Sequence, residues 1–247
     1  MIILSDVRVN RRLQIKNLYV KAGTSCHILG ENGAGKSTLL RVSAGLLDSE
    51  TGACKFHGQP LDAIPLSRLA TLRGFHEQAN TTAFDIPAGD YIDFYADNGA
   101  LDKRLTNALD IAHLLHRPVS QLSGGEQQRI NLVRCMGQVW SALENGKAML
   151  CLDEPLQGLD VRHQQSLLLF LRTLCEMGNT VLMSSHDLNL SARFADQVVL
   201  LKAGNCIASG PVETTLTTAK LKACFNIGFD ITNNQNALQI QPQWPSA

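Results

Sequence analysis

Apolar and polar residues alternate along Ile2–Val9 and again along Leu13–Val20, where Leu18 and Val20 share a face. A period of two predicts two half-buried strands, here joined by the basic turn Asn10-Arg11-Arg12. Ser25–Leu29 is a short apolar run, read as a strand, that leads into a glycine-rich segment. From residue 36 to 44 the spacing becomes helical, with Gly45 as the C-cap. Further along, residues 53–57 and 71–77 predict short strands and 124–139 a helix. Residues 148–152 predict a buried strand, 161–177 an amphipathic helix and Thr180–Ser184 another buried strand. Residues 196–202 and 206–208 flank a Gly204-Asn205 turn. Strands alternating with helices predict an α/β fold, a mainly parallel sheet flanked by helices, and the opening hairpin adds an antiparallel β element beside it.

The segment from about 80 to 120 has a different character. It carries Pro87, Pro118, Phe84, Tyr91, Phe94 and Tyr95, with helical spacing around 91–96 and 105–115, and reads as a helical insert. Residues 232–247 are rich in Asn, Gln and Pro and are expected to form a loosely held tail. No internal repeat is present, so residues 1–247 read as one domain.

Composition narrows the function. Lys+Arg and Asp+Glu both number 22, so no basic excess points to a nucleic-acid partner. The longest apolar runs, such as 148–152 and 167–171, fall far short of the roughly 20 residues that span a bilayer. The first residues lack a basic stretch followed by an apolar one, so no signal peptide is expected. The seven cysteines form no C-x-x-C pair and read as small buried hydrophobes of a reducing compartment. Asp110, His113 and His116 share helical spacing but read as surface or packing residues rather than a metal set.

Candidate chemistry lies in four strings. Gly30–Ser37 reads Gly-Glu-Asn-Gly-Ala-Gly-Lys-Ser, a G-x-x-x-x-G-K-[ST] loop between a strand and a helix. Its glycines let backbone N–H groups close on phosphate oxygens, Lys36 reaches the β- and γ-phosphates, and Ser37 offers a hydroxyl to Mg²⁺. The apolar strand before Asp153 and Glu154 ends in two carboxylates, where ligands of α/β sheets sit. Asp153 is placed to hold Mg²⁺ and Glu154 to orient or deprotonate an attacking water. By themselves the two acids read equally well as a helix N-terminal pair. Leu122-Ser123-Gly124-Gly125-Glu126-Gln127 opens a helix, another place that favours an anion. Ser184-Ser185-His186-Asp187 follows the next strand.

Together these strings resemble the ATP-binding cassette of ABC transporters over about residues 2–210. The resemblance implies that ATP is bound by Gly30, Glu31, Asn32, Gly33, Ala34, Gly35, Lys36, Ser37 and Thr38 of one chain. Ser123, Gly124, Gly125 and Asp160 would face the nucleotide held by a second copy, in a head-to-tail dimer closing on two ATP molecules. It further implies that Glu154, His186 and Gln78 serve catalysis, with His186 on the γ-phosphate, and that Ser37, Gln78 and Asp153 serve Mg²⁺. A single cassette resembles the ATPase subunit of a bacterial importer. Such a subunit pairs with two transmembrane permease subunits at the cytoplasmic face of the inner membrane and is served indirectly by a periplasmic substrate-binding protein. The string from Ser184 to Asn189, with the polar extension 138–147, is similar to importers of metal chelates. Cobalamin is the expected cargo, and siderophores or haem the alternatives. A soluble ATPase acting on nucleic acid is the reading of another class. Two departures stand out. The first hairpin's turn has no aromatic residue, so Arg11 or Arg12 stacks on adenine or the turn is simply solvated. Leu156-Gln157 follows Glu154-Pro155 where Thr-Ser is common.

Overall fold

The structure, a computed structural model, describes residues 1–77, 85–97, 102–234 and 237–244. The first strands, β1 (Ile2–Val9), β2 (Leu13–Val20) and β3 (Ser25–Leu29), lie where the alternation predicts them. β1 and β2 pair antiparallel, and each buries one face, with Leu4 and Val7 on one strand and Ile15 and Leu18 on the other. β3 is buried at all five positions because it has a parallel neighbour on each side. Helix α1 (Lys36–Ser43) follows the glycine loop, and then come β4 (Thr51–Phe56) and β5 (Gln59–Pro60). The strand expected over 71–77 is shorter. Pro65 leads into α2 (Leu66–Leu72), and only Arg73–His76 is strand, β6.

The insert is helical in its described parts, with α3 (Ala88–Asp93) and α4 (Lys103–Ala108). It is fastened to the long helix α5 (Gly124–Gly137). Tyr91 donates its hydroxyl to Asn131 Oδ1 at 3.2 Å, and the buried Arg129 donates to the carbonyls of Leu109 at 2.9 Å and Asp110 at 2.6 Å. A buried guanidinium is tolerable only when its donors are used in this way.

The remaining core elements are α6 (Trp140–Glu144), β7 (Met149–Leu152), α7 (Val161–Glu176), β8 (Thr180–Ser184), α8 (Leu188–Phe194), β9 (Gln197–Lys202) and β10 (Asn205–Pro211). Ten strands bond in the order β5-β4-β1-β2-β10-β9-β3-β8-β7-β6. The five from β9 to β6 are parallel and β10 pairs antiparallel with β9, while β2, β1, β4 and β5 form an antiparallel wing that meets β10 through the single parallel pair Gln14–Asn205. β7 shows how one strand serves two cores. Leu150 and Leu152 pack towards the insert, α5 and α7, while Met149 and Cys151 face α1 and the wing. Asn179, wholly buried, ties three segments together: it donates to the carbonyls of Leu143 and Leu174 and accepts from the amide of Ala148.

After α9 (Val212–Thr215) and α10 (Thr218–Phe225), the chain does not trail off as its composition suggests. Residues from 232 onward were expected to be loosely held. In their described part they belong to the hairpin β11 (Phe229–Asn234) and β12 (Ala237–Pro242). Ile240 is buried, and its backbone forms a two-way clasp with the amide of Asn189 on α8. The apolar positions Phe229 and Ile240 outweigh the polar residues around them. All seven cysteines are free, and burial pushes the Cys26 and Cys135 thiols up to about 12, which leaves them unreactive.

Candidate functional site

The loop after β3 and the N-terminus of α1 line a cleft of about 510 Å³ with Arg11, Arg12, Glu154 and the Ala203-Gly204 turn. Residues Asn32 to Thr38 all line it, whereas Gly30 and Glu31 serve the loop differently, through their carbonyls. Lys36 is 6% exposed, and its ammonium donates to Gly30 O at 2.9 Å and Glu31 O at 3.1 Å. Burial lowers its pKa, and the nearby charges of Glu154 and Asp153 oppose that shift. At Gly35, with φ 101, a β-carbon would stand 2.9 Å from the carbonyl of Arg12. The two turns thus meet backbone to backbone, and the Gly204 amide bonds to Ala34 O at 3.0 Å. The loop, the Arg11-Arg12 turn and the Ala203-Gly204 turn therefore form one fixed wall.

The end of β7 supplies the carboxylates. Asp153 is buried, and its Oδ1 accepts the Ser184 hydroxyl at 2.6 Å. Ser184 Oγ in turn accepts the Glu154 amide at 2.8 Å, so one hydroxyl on β8 fixes both acids. Asp153 makes no ion pair among the described residues, although it is an almost wholly buried anion. Glu154 has φ 47, a left-handed backbone that a side chain disfavours. Its Oε1 lies 2.5 Å from His186 Nε2, and a bond to a carboxylate puts the imidazole proton on that nitrogen. Ser37 and Asp153 present hard oxygen donors, which fit Mg²⁺. No group of three or more His, Cys, Asp or Glu that could hold a metal occurs among the described residues. Mg²⁺ is commonly held by one or two carboxylates together with phosphates and water.

Ser123 opens α5 with a capping box. Its hydroxyl accepts the Glu126 amide at 3.4 Å, and Glu126 Oε2 accepts the Ser123 amide at 2.7 Å. Gly125 packs against the loop before α7, where a β-carbon would stand 2.7 Å from Gly158 O. Gly124 has open space around it. Ser123, Gly125, Gly158, Asp160 and His163 line a second, smaller cleft of about 250 Å³. Asp160 caps α7 through the His163 amide at 2.9 Å, a bond that lowers its pKa.

The structure therefore brings the phosphate loop, Glu154 and, through Glu154, His186 to one cleft, and Ser123, Gly125 and Asp160 to another. The two clefts share no lining residue. Gln78 lies outside the described residues. Sequence reasoning gave no role to Ser184 as the bridge between the acids or to Gln128, which donates to Pro155 O at 3.1 Å. A hydroxyl ending the strand beside the paired carboxylates is the signal for the first. Nothing local marks the second, because its partner is 27 residues away.

The family model described as ABC transporter matches residues 13–157. The chain belongs to the ABC transporter family. The cassette is 38% identical to the vitamin B12 import ATP-binding protein BtuD of Escherichia coli strain S88 over 92% of each chain. Among solved structures it is similar to a metal-chelate type ABC transporter in an inward-facing conformation, with TM-score 0.77 and 22% identity over 99% of this chain and 98% of that one. It is also similar to cbiO1 of Clostridium perfringens, part of the cbiONQ transporter complex, with TM-score 0.70 and 25% identity over 91% and 95%. The cassette is thus an ATP-binding ATPase fold with its large mixed sheet, antiparallel wing and helical insert in the family arrangement.

Proposed function

We propose that this cassette is the ATP-hydrolysing subunit of a bacterial importer and that its cargo is cobalamin. The observation that carries the reading is the 38% identity to a vitamin B12 import ATP-binding protein along 92% of both chains. No helix among the described residues is long and apolar enough to cross a membrane. In this reading two permease subunits hold the cassette at the cytoplasmic face of the inner membrane, and a periplasmic binding protein delivers cargo to them.

The geometry of the described residues supports the following roles. The amides from Asn32 to Thr38 and the Lys36 ammonium bind the triphosphate, after Lys36 exchanges its loop carbonyls for phosphate oxygens. Mg²⁺, when bound, neutralises charge on the β- and γ-phosphates, and Ser37, Asp153 and Gln78 are the residues that would hold it. Glu154 accepts a proton from water as the water oxygen bonds to the γ-phosphorus, and the bond to the ADP oxygen breaks. His186 donates to Glu154 in this structure and turns to the γ-phosphate when nucleotide is bound. Two clefts with no shared lining support completion of each ATP site by Ser123, Gly124, Gly125 and Asp160 of a second copy, head to tail.

The test is genetic and then biochemical. A host lacking this chain and any second route should lose growth on scarce external cobalamin and regain it when cobalamin is abundant. The wild-type chain should complement, and the Glu154→Gln variant should not. Normal uptake of labelled cobalamin with lost uptake of a ferric siderophore or haem would keep the transporter and replace the cargo.

A further inference from the structure

Gln128 sits on α5 one turn beyond the glycines that open it, and its side chain points back to the carboxylate loop. Its Nε2 donates to the carbonyl of Pro155 at 3.1 Å and to that of Glu154 at 3.4 Å. The same peptide segment is held from the other side by Ser184, which accepts the Glu154 amide. Glu154 needs both restraints, because its φ of 47 is one that a side chain disfavours and that persists only where the surroundings over-determine it. Behind Gln128 lies His76, wholly buried on β6, whose backbone carbonyl accepts the Asp153 amide at 2.9 Å.

We infer that Gln128 is a positioning residue that couples the two ATP sites: it transmits the placement of the Ser123 end of α5 to the backbone of Glu154 in the same chain. This rests on the head-to-tail reading above. In such a dimer the Ser123 end of a chain serves the nucleotide on its partner, while Glu154 serves the nucleotide on its own loop. A helix of 14 residues moves as a unit, so a nucleotide that draws in Ser123 also shifts the Gln128 amide. That amide decides whether the Glu154 carboxylate stands where water attacks. Filling one site then tunes the other, which is a coupling free energy between distinct sites.

The experiment is steady-state ATP hydrolysis by the full-length chain over a range of ATP concentrations. The wild type should be sigmoidal. Gln128→Met keeps the length and bulk and removes the donor. It should lower kcat about tenfold, the effect of losing two neutral hydrogen bonds, leave half-saturation within about twofold, and bring the Hill coefficient to one. Gln128→Glu is the second variant. Its carboxylate repels the two carbonyls, but once protonated it donates again, so its activity relative to wild type should rise as the pH falls. A residue that merely packs would show neither the loss of cooperativity nor this pH-dependent rescue. Three results overturn the coupling: a folded Gln128→Met chain with wild-type kcat and Hill coefficient, one with lowered kcat and unchanged cooperativity, or a Gln128→Glu activity ratio that ignores pH. A wild-type chain that turns over no ATP instead overturns the ATPase reading, and this inference with it.

Discussion

The two clefts of the cassette are built on opposite principles. The phosphate-loop cleft is the larger and is lined by a buried lysine and a glutamate in a disfavoured backbone conformation, next to a buried aspartate, all held by carbonyls and one serine hydroxyl. The Ser123 cleft is the smaller, and its groups are already satisfied locally by a capping box and by the Asp160 cap. The first keeps charges away from water and so pre-organises them, which is where a reacting phosphate gains most. The second is a stable helix end whose capping box closes on itself. Such an arrangement suits a surface that docks onto a nucleotide rather than one that holds it alone.

Substitutions can sharpen or break this contrast. Glu154→Gln should have the largest effect. Removing the proton acceptor should cut turnover by about 10²–10⁴-fold while ATP binding survives, so size exclusion with Mg-ATP should reveal a dimer that does not turn over. Turnover at the wild-type rate would move the base elsewhere. Lys36→Ala follows, with a loss of about a hundredfold, the scale of a charge-assisted hydrogen bond, and here nucleotide binding should fall too. Near-normal activity at saturating ATP would show that the phosphate-loop cleft is not the nucleotide site. Ser123→Arg should act on the partner: mixed with Lys36→Ala chains, it should leave one heterodimer site doubly damaged and the other chemically intact. Cross-linking of Ser123 and Lys36 of a single chain through one ATP analogue would end the two-chain site.

The smallest effect concerns stability. Burial holds the pKa of His27 down to about 3 and that of His76 to about 4, against an ordinary value of 6.5. Both folded values are depressed, so the unfolded chain binds more protons below pH 6.5. Stability should therefore fall from pH 6.5 towards pH 4, by about 1–2 kcal/mol per histidine at pH 5. Thermal melts should show this slope, and His76→Leu should flatten it. A melting temperature independent of pH between 7 and 5 would mean that these rings are not buried neutral.

Much of this molecule was readable from short-range pattern. The alternation of β1 and β2, the largely apolar β3 and β8, the glycine loop and the paired acids each announce themselves within eight residues or fewer, because strand period and loop chemistry are local. What was not readable depends on distant partners. Thr71 and Leu72 join a helix because Pro65 starts it. The described part of the Asn- and Gln-rich end folds because Asn189, 51 residues earlier, clasps Ile240. The placement of Glu154 follows the same rule: its residue type is visible at the strand end, but Ser184 and Gln128, which set its backbone, are 30 and 26 residues away.

Asn179 has a consequence for how such a chain tolerates change during its history. Its side chain fastens the carbonyl of Leu143 and the amide of Ala148, on either side of the short stretch between α6 and β7. Whatever length of chain arrives there from α5, its last residues are gripped in one register before the acid-bearing strand begins. A change of length before Leu143 is thus taken up ahead of this clasp and does not slide Asp153 and Glu154 along the sheet. A one-residue slip there would turn every side chain of β7 to the opposite face. The stretch between Leu143 and Ala148 is itself held at both ends, so its length is fixed by the same side chain.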